Sequence, residues 1–178
     1  MRQLRRVRRY LPQEAALKLA HAFVSCRLDY CNSVLFGLPQ YLIARLQSVL
    51  NSSERLATRT SRFAHITPVL RELHWLPYPQ RVTFKICLNV YKCLHGMAPH
   101  YLSSVCTRLG DLPGRSSLRS TSGWQLLVPR TKMKSCGDRS FRSCGPRLWN
   151  SLPLKLRDPS LSLPAFKGLL KTYLFTAV

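Results

Sequence analysis

Acidic residues are what this sequence most lacks. It contains 7 Asp and Glu against 28 Lys and Arg in 178 residues, which gives a formal net charge of +21. Its aspartates are isolated from one another, and no two acidic residues are adjacent. Polymerases and many nucleases need clustered carboxylates that hold two metal ions a few ångströms apart. We therefore predict no enzyme activity of this kind and no catalytic residue.

Short cysteine spacings and long apolar runs are also missing. No Cys-x-x-Cys occurs among the 7 cysteines, so we predict no zinc site and no other metal or cofactor. Phosphate-binding glycine loops and nucleophile elbows are absent, so no small-molecule substrate is expected. No apolar run approaches the roughly 20 residues that span a bilayer, so no membrane-spanning segment is predicted.

The compartment is predicted from the cysteines and the missing secretory signal. We interpret the cysteines as reduced thiols of an intracellular protein, nuclear or cytoplasmic. The first 12 residues form a basic arm that contains Arg2, Arg5, Arg6, Arg8 and Arg9. Three interpretations of it stay open: a disordered arm, a nuclear-localisation patch or a mitochondrial presequence. The lack of serine in this segment makes a mitochondrial location the weaker prediction.

Apolar residues recur with helical spacing over residues 13–105. The clearest case is 80–95, where Val82, Ile86, Val90 and Leu94 recur every four residues and predict a buried helix. Pro79 suits its start and Gly96 its left-handed C-terminal cap. Further helices are predicted over 12–25, 40–58 and about 100–105, with the core residues Ala16, Leu19, Ala20, Phe23, Leu42, Leu46, Val49, Leu50, Leu56 and Ala57.

The composition changes after residue 105. A basic loop rich in Ser, Gly and Pro is predicted over 106–123, followed by a basic C-terminal segment over 124–178. Within that segment, 125–130 is predicted as a strand that can form a β-hairpin with 132–136. An amphipathic helix is predicted over 161–175, with an apolar face of Leu163, Phe166, Leu169, Leu170 and Leu174. The predicted fold is therefore mainly α, a helical bundle followed by a smaller irregular segment.

Basic residues are the functional signal of the second half. Eleven Lys and Arg lie between Arg108 and Arg157, against only two acids. Nucleic acid is the usual partner of such a chain, and an anionic membrane surface is the weaker candidate. We predict sequence-tolerant binding of RNA or DNA. Arg130, Lys132 and Lys134 are expected to be exposed. The predicted binding residues are Arg108, Arg115, Arg119, Arg130, Lys132, Lys134, Arg139, Arg142 and Arg147.

Several short motifs in a fixed order carry a resemblance to a known family. Residues 65–77 read His-Ile-Thr-Pro-Val-Leu-Arg-Glu-Leu-His-Trp-Leu-Pro, and further matches lie at 28–33, 37–39, 94–99, 128–132, 137–141 and 148–153. From about residue 17 almost to its end, the chain resembles the C-terminal part of the reverse transcriptase polyprotein of non-LTR (LINE-type) retrotransposons.

The resemblance implies a role as well as a fold. In that family this region follows the polymerase palm, so 13–105 is expected to be thumb-like, with the upstream palm as a partner. The remaining segment is expected to handle nucleic acid without catalysing a reaction. The chain departs from the family pattern at Arg59, where glycine is usual, and at Ser52 and Ser53, where small apolar residues are usual. Two hypotheses follow: a non-catalytic nucleic-acid-binding remnant, or an unselected translated fragment with no cellular function.

Overall fold

The chain folds mainly into α-helices, as predicted. A computed structural model describes residues 2–113, 124–133 and 136–176. The chain divides into two compact units, residues 1–81 and 82–178. This division lies within a helix and differs from the sequence-based boundary after residue 105.

The first unit is built from short helices around one long one. Its helices are α1 (Arg2–Arg8), α2 (Gln13–Ala20), a π-helical turn (His21–Ser25), α3 (Cys26–Asp29), a 3-10 turn (Asn32–Leu35), α4 (Gln40–Thr58) and α5 (Thr67–Glu72). Ala16 and Ala20 of α2 pack against Ala57 of α4. The small alanine side chains allow these two helices to approach closely.

Helix α1 corrects one interpretation of the basic arm. The segment is helical rather than disordered, and Arg8 at its end is buried. The Arg8 side chain donates hydrogen bonds to the carbonyl oxygens of Leu56 and Ala57 in α4. These carbonyls belong to the last turn of α4, where carbonyl oxygens have no hydrogen-bond donor within the helix. A long-range contact therefore holds α1 in place.

The buried faces of α2 and α4 differ in part from the predicted ones. Phe23 is 57% exposed, and the neighbouring Val24 and Ser25 are buried instead, because the π-helical turn carries the buried stripe one residue further. The buried residues of α4 are Ile43, Leu50, Ser53, Glu54 and Ala57. The predicted core residues Leu19, Leu42, Leu46 and Leu56 are only half-buried, and Val49 is exposed.

Helix α6 (Tyr78–Leu94) begins in the first unit and continues into the second. Its residues Val82, Ile86 and Val90 are buried, as predicted, whereas Leu94 is only half-buried. The helix is capped by Gly96, whose φ of +66° confirms the left-handed cap. The Met97 amide donates to the Lys92 carbonyl at 2.8 Å across this cap.

The second unit is completed by α7 (His100–Ser103), a 3-10 turn (Leu109–Asp111), α8 (Phe141–Ser151), a further 3-10 turn (Leu154–Leu156) and α9 (Leu163–Thr176). The Phe166 ring of α9 stacks on Tyr91 of α6, with 4.4 Å between ring centroids. Phe166, Leu170 and Leu174 of α9 are buried, but Leu169, which was predicted to share that face, is 47% exposed. Leu169 lies beside the stripe that the buried residues form at intervals of four.

The predicted hairpin is not formed among the described residues. Leu126 instead makes an isolated antiparallel bridge with Arg108. The Asn150 side chain of α8 also accepts a hydrogen bond from the Leu126 amide at 2.9 Å and donates one to the Leu126 carbonyl at 2.8 Å. The Leu126 amide and carbonyl, which the hairpin would have paired, therefore form their hydrogen bonds with the Asn150 side chain instead.

Candidate nucleic-acid interface

The structure describes six of the nine predicted nucleic-acid-binding residues. Arg115, Arg119 and Lys134 lie outside the described ranges. The six described residues all belong to the second unit and fall into two places. Arg108 immediately precedes the 3-10 turn Leu109–Asp111. The others lie in α8 or in the segment before it: Arg130, Lys132, Arg139, Arg142 and Arg147.

Arg108 is held by two neighbours. Its guanidinium donates to both carboxylate oxygens of Asp111, at 2.9 and 3.0 Å, in a bidentate ion pair. Its Cζ also lies 5.0 Å from the centroid of the Trp124 ring. The ion pair neutralises the Arg108 charge locally. Arg108 is therefore the least suitable of the described candidates for attracting a phosphate.

Asp138 organises the loop before α8. Its carboxylate accepts a hydrogen bond from the Thr131 hydroxyl and one from Arg147 Nη2 at 3.2 Å. Its amide donates to the Met133 carbonyl at 3.3 Å. One acid thus ties Arg147 of α8 to the segment in which Arg130 and Lys132 flank Thr131.

Gly137 is required for this loop to close. A Cβ atom at this position would lie 2.6 Å from the Met133 carbonyl oxygen and 3.0 Å from Thr131 Cβ. Any larger residue would push the two strands of the loop apart. Sequence reasoning found the cations here but missed the organising roles of Asp138, Thr131 and Gly137. The available signal was that all three lie in the motifs that carry the family resemblance.

The basic residues near α8 remain accessible. Arg130, Lys132, Arg142 and Arg147 are exposed, and Arg139 is half-buried. The exposure of Arg130 and Lys132 confirms the prediction made for them. We call these five residues, with Asp138, the α8 basic surface. Its single carboxylate can balance one of the five cations, so the surface keeps a positive charge that favours an anionic ligand.

Arg142 adds to this field at the start of α8. It lies in the first turn of the helix, where the helix dipole is already positive. A cation in this position is unfavourable for the isolated helix and becomes favourable when an anion is bound nearby. The opposite face of α8 is buried through Ser143, Cys144, Gly145, Pro146 and Trp149.

The tryptophans offer little area for base stacking. Trp149 is 2% exposed, and its indole Nε1 donates to the Trp124 carbonyl at 2.8 Å. Trp124 and Trp75 are half-buried, and Trp75 makes an edge contact with His21. Recognition of bases by stacking on Trp149 would need the core to open.

Catalytic and metal-binding groups do not converge in the described part of the chain. Asp29 is ion-paired with Arg81, whose Nε donates at 2.8 Å, rather than with the neighbouring Arg27. Burial raises the pKa of Cys144 to about 11 and that of Cys87 to about 12, so both thiols stay protonated at neutral pH. Residues 2–113, 124–133 and 136–176 contain no group of three His, Cys, Asp or Glu able to hold a metal ion.

Two further findings bear on the partner. Over the described residues, no helix is both long enough and apolar enough to cross a membrane. No protein-family model, no curated protein and no solved structure matches the chain.

Proposed function

We propose that the chain binds RNA or DNA without catalysing a reaction and with little preference for base sequence. We also propose that it derives from the thumb and post-palm region of a LINE-type reverse transcriptase. The observation that carries the binding proposal is the α8 basic surface, which combines five cations, four of them exposed, with a single carboxylate.

The charge of the whole chain supports the same proposal. Even if all 7 acids were ionised and paired, 21 of the 28 Lys and Arg residues would still lack an acidic partner. Burial raises the pKa of Glu54 to about 8, so one of those acids is mostly neutral at pH 7. The fold therefore cannot neutralise itself, whereas a polyanion would supply the missing charge.

The type of contact supports tolerance of sequence. Exposed Arg and Lys side chains contact phosphates, which carry no direct sequence information. None of the six residues of the α8 basic surface is aromatic, and the nearby Trp149 is buried. We expect single strands to bind through their backbone, with affinity set by salt concentration.

One observation favours the alternative of an unselected fragment. Glu54 is fully buried, and neither of its carboxylate oxygens has a hydrogen-bond partner. A buried acid without a partner destabilises a fold, which is typical of a sequence that has drifted. Ser53 beside it is also buried, but its hydroxyl donates to the Leu50 carbonyl at 2.8 Å. Ser25 Oγ, Asn32 Oδ1 and Gln80 Oε1 are also buried without a hydrogen-bond partner, but Glu54 is the only acid among these residues.

Salt-dependent binding of a short single-stranded oligonucleotide tests the proposal. The affinity of the purified protein should fall linearly on a log–log plot against salt, with about 0.7 of slope for each phosphate contact. Replacing Arg130, Lys132 and Arg142 together by Ala should make that slope shallower by about 2, because three phosphate contacts are removed.

A matched control separates local contacts from net charge. Lys85, Lys155 and Lys167 are also exposed residues of the second unit, and their replacement by Ala removes the same charge. The control should change the slope much less than the Arg130, Lys132 and Arg142 variant. Equal slopes for the two variants would remove the α8 basic surface from the proposal. A folded wild-type protein that binds no oligonucleotide would favour the unselected fragment.

A further inference from the structure

A second basic site lies in the first unit, away from the residues that the sequence singled out. An open cleft of about 340 Å³ lies between α1 and the C-terminal end of α4. Five arginines line it, together with one leucine and two hydroxyl residues: Arg5, Arg8, Arg55, Arg59, Arg62, Leu56, Ser52 and Thr60. We call it the arginine cleft. No acidic side chain is among its described lining residues.

Two of these arginines are fixed by the backbone. Arg8 is 7% exposed and donates to the carbonyls of Leu11, Leu56 and Ala57 at 2.7 to 3.1 Å. Arg55 Nη1 donates to the carbonyls of Ser61 and Ala64 at 2.5 and 2.7 Å. Carbonyl oxygens accept these hydrogen bonds without cancelling the charge of either guanidinium. Arg8 and Arg55 therefore hold the walls of the cleft and keep it positive.

The other three arginines are exposed at the cleft. Arg5 lies on α1, and Arg59 and Arg62 follow the end of α4. This unit has four acids, of which Glu14 pairs with Lys18, Asp29 pairs with Arg81 and Glu54 is buried. The fourth, Glu72, is exposed at the end of α5 and is not among the residues that line the cleft. Guanidinium groups bind phosphate oxygens in a bidentate manner, so several of them around one cleft suit a phosphate group.

Arg59 occupies an unusual backbone position. It ends α4 with φ of +58°, the left-handed conformation that glycine adopts without strain. Its amide donates to the Arg55 carbonyl, as expected for a helix cap. An arginine therefore stands at the cleft in a place where glycine would make the more stable cap. Such strain, where it coincides with a charged cleft, indicates a use for the side chain.

We propose that the arginine cleft binds phosphate groups of the nucleic-acid backbone, through Arg5, Arg59 and Arg62. Arg8 and Arg55 act as positioning residues. Its volume lies near the lower end of the roughly 300–1,000 Å³ found for ligand pockets, which suits one or two nucleotides rather than a longer stretch. The inference rests on the proposed function for the source of the phosphate, but it concerns different residues in a different unit.

The first test compares neighbouring arginines of α1. Arg5→Gln and Arg6→Gln remove the same charge from exposed residues of one helix, and only Arg5 lines the cleft. Loss of a charged contact predicts about tenfold weaker binding of a single-stranded oligonucleotide for Arg5→Gln. Screening predicts a change below about twofold for Arg6→Gln. Equal effects of the two variants would overturn the proposal.

Arg59→Gly gives an independent test in which stability and binding change in opposite directions. Glycine relieves the left-handed strain, so Tm should rise by about 2–4 °C for a chain of this size. Oligonucleotide affinity should nevertheless fall about tenfold, as for Arg5→Gln. Unchanged affinity in this stabilised variant would contradict a role for the Arg59 side chain.

A titration with inorganic pyrophosphate makes the inference independent of nucleic-acid binding. The guanidinium NMR signals of Arg5, Arg59 and Arg62 should shift, whereas those of Arg2 and Arg6 should not. Suppose that the protein binds oligonucleotides, but the arginine signals do not shift and the variants bind as the wild type does. The arginine cleft is then not a phosphate site, and the proposed function stands. If the cleft signals shift while no oligonucleotide binds, the phosphate site stands and the proposed function fails.

Discussion

At the scale of single residues, Glu54 shows how one side chain can oppose the fold around it. Its carboxyl is fully buried in the first unit. Arg81 lies near enough to lower its pKa, but burial is the larger effect and raises the pKa from 4.5 to about 8. The Arg81 guanidinium is already bonded to Asp29 through Nε at 2.8 Å. Arg81, the cation that favours an ionised Glu54, is therefore hydrogen-bonded to Asp29 instead.

This pKa gives the fold a dependence on pH. The folded chain holds the Glu54 proton up to about pH 8, whereas the unfolded chain releases it near 4.5. Stability from this residue therefore falls as pH rises between those values, by up to about 1.4 kcal/mol for each unit. Glu54→Gln removes the titrating carboxyl. The unfolding free energy of the variant minus that of the wild type should therefore increase as pH rises from 4.5 to about 8.

Urea unfolding of both proteins at several pH values measures this effect. Other titrating groups are common to the two proteins, so the difference between the two curves isolates Glu54. A difference that stays constant from pH 4.5 to about 8 would show that the carboxyl is ionised in the folded chain.

At the scale of elements, α6 contributes the residues around which the second unit packs. Ile86, Cys87 and Val90 have 0% exposure, and Tyr91 stacks on Phe166 of α9. Gly145 of α8 is also needed here, since a Cβ atom on it would lie 3.1 Å from Val90 Cγ2. Gly145 thus allows α8 to pack closely against the apolar stripe of α6.

Truncation along the α6 stripe should show a graded cost. Ile86→Ala removes fully buried atoms and should lower the free energy of unfolding by about 2–5 kcal/mol, because it leaves a cavity. Leu94→Ala removes a residue of similar size from a half-buried position and should be less harmful. Chemical denaturation followed by circular dichroism measures both changes. Equal losses would mean that Leu94 is as much a part of the core as Ile86.

At the scale of the whole molecule, the shortage of acids decides both stability and chemistry. A net charge of +21 repels itself in a compact fold and is screened by salt or by a bound polyanion. The same shortage leaves few carboxylates for metal binding. Asp29, the last residue of α3, is ion-paired with Arg81. Polymerase chemistry would require that ion pair to break and a second acid to be supplied.

Primer extension assays should therefore show no polymerase activity with any template, primer or divalent metal. A known polymerase run in parallel gives the positive control, and Asp29→Ala gives the matched variant of this chain. Extension that survives rigorous purification and disappears in Asp29→Ala would overturn the non-catalytic proposal.

The sequence alone determined the longest helices and where α6 ends, but it did not predict α1 or α8. Apolar spacing predicted α4, α6 and α9, since helical period is a local property that neighbouring residues carry. Gly96 was predicted as a cap for the same reason, because its conformation depends on its own missing side chain. The exposed cations Arg130 and Lys132 were also predicted, because long charged side chains seldom lose water.

Only the tertiary structure decided which residues meet across the chain. Arg8 reaches Ala57, Arg81 reaches Asp29, and Asn150 takes the backbone of Leu126 that a hairpin was predicted to use. The arginine cleft likewise brings together residues of α1 and residues 52–62, which are far apart in the sequence. Composition placed these arginines in a basic chain, but their convergence depends on how α1 packs against α4. Each of these pairings is long-range, so it depends on packing that local propensity and spacing do not encode.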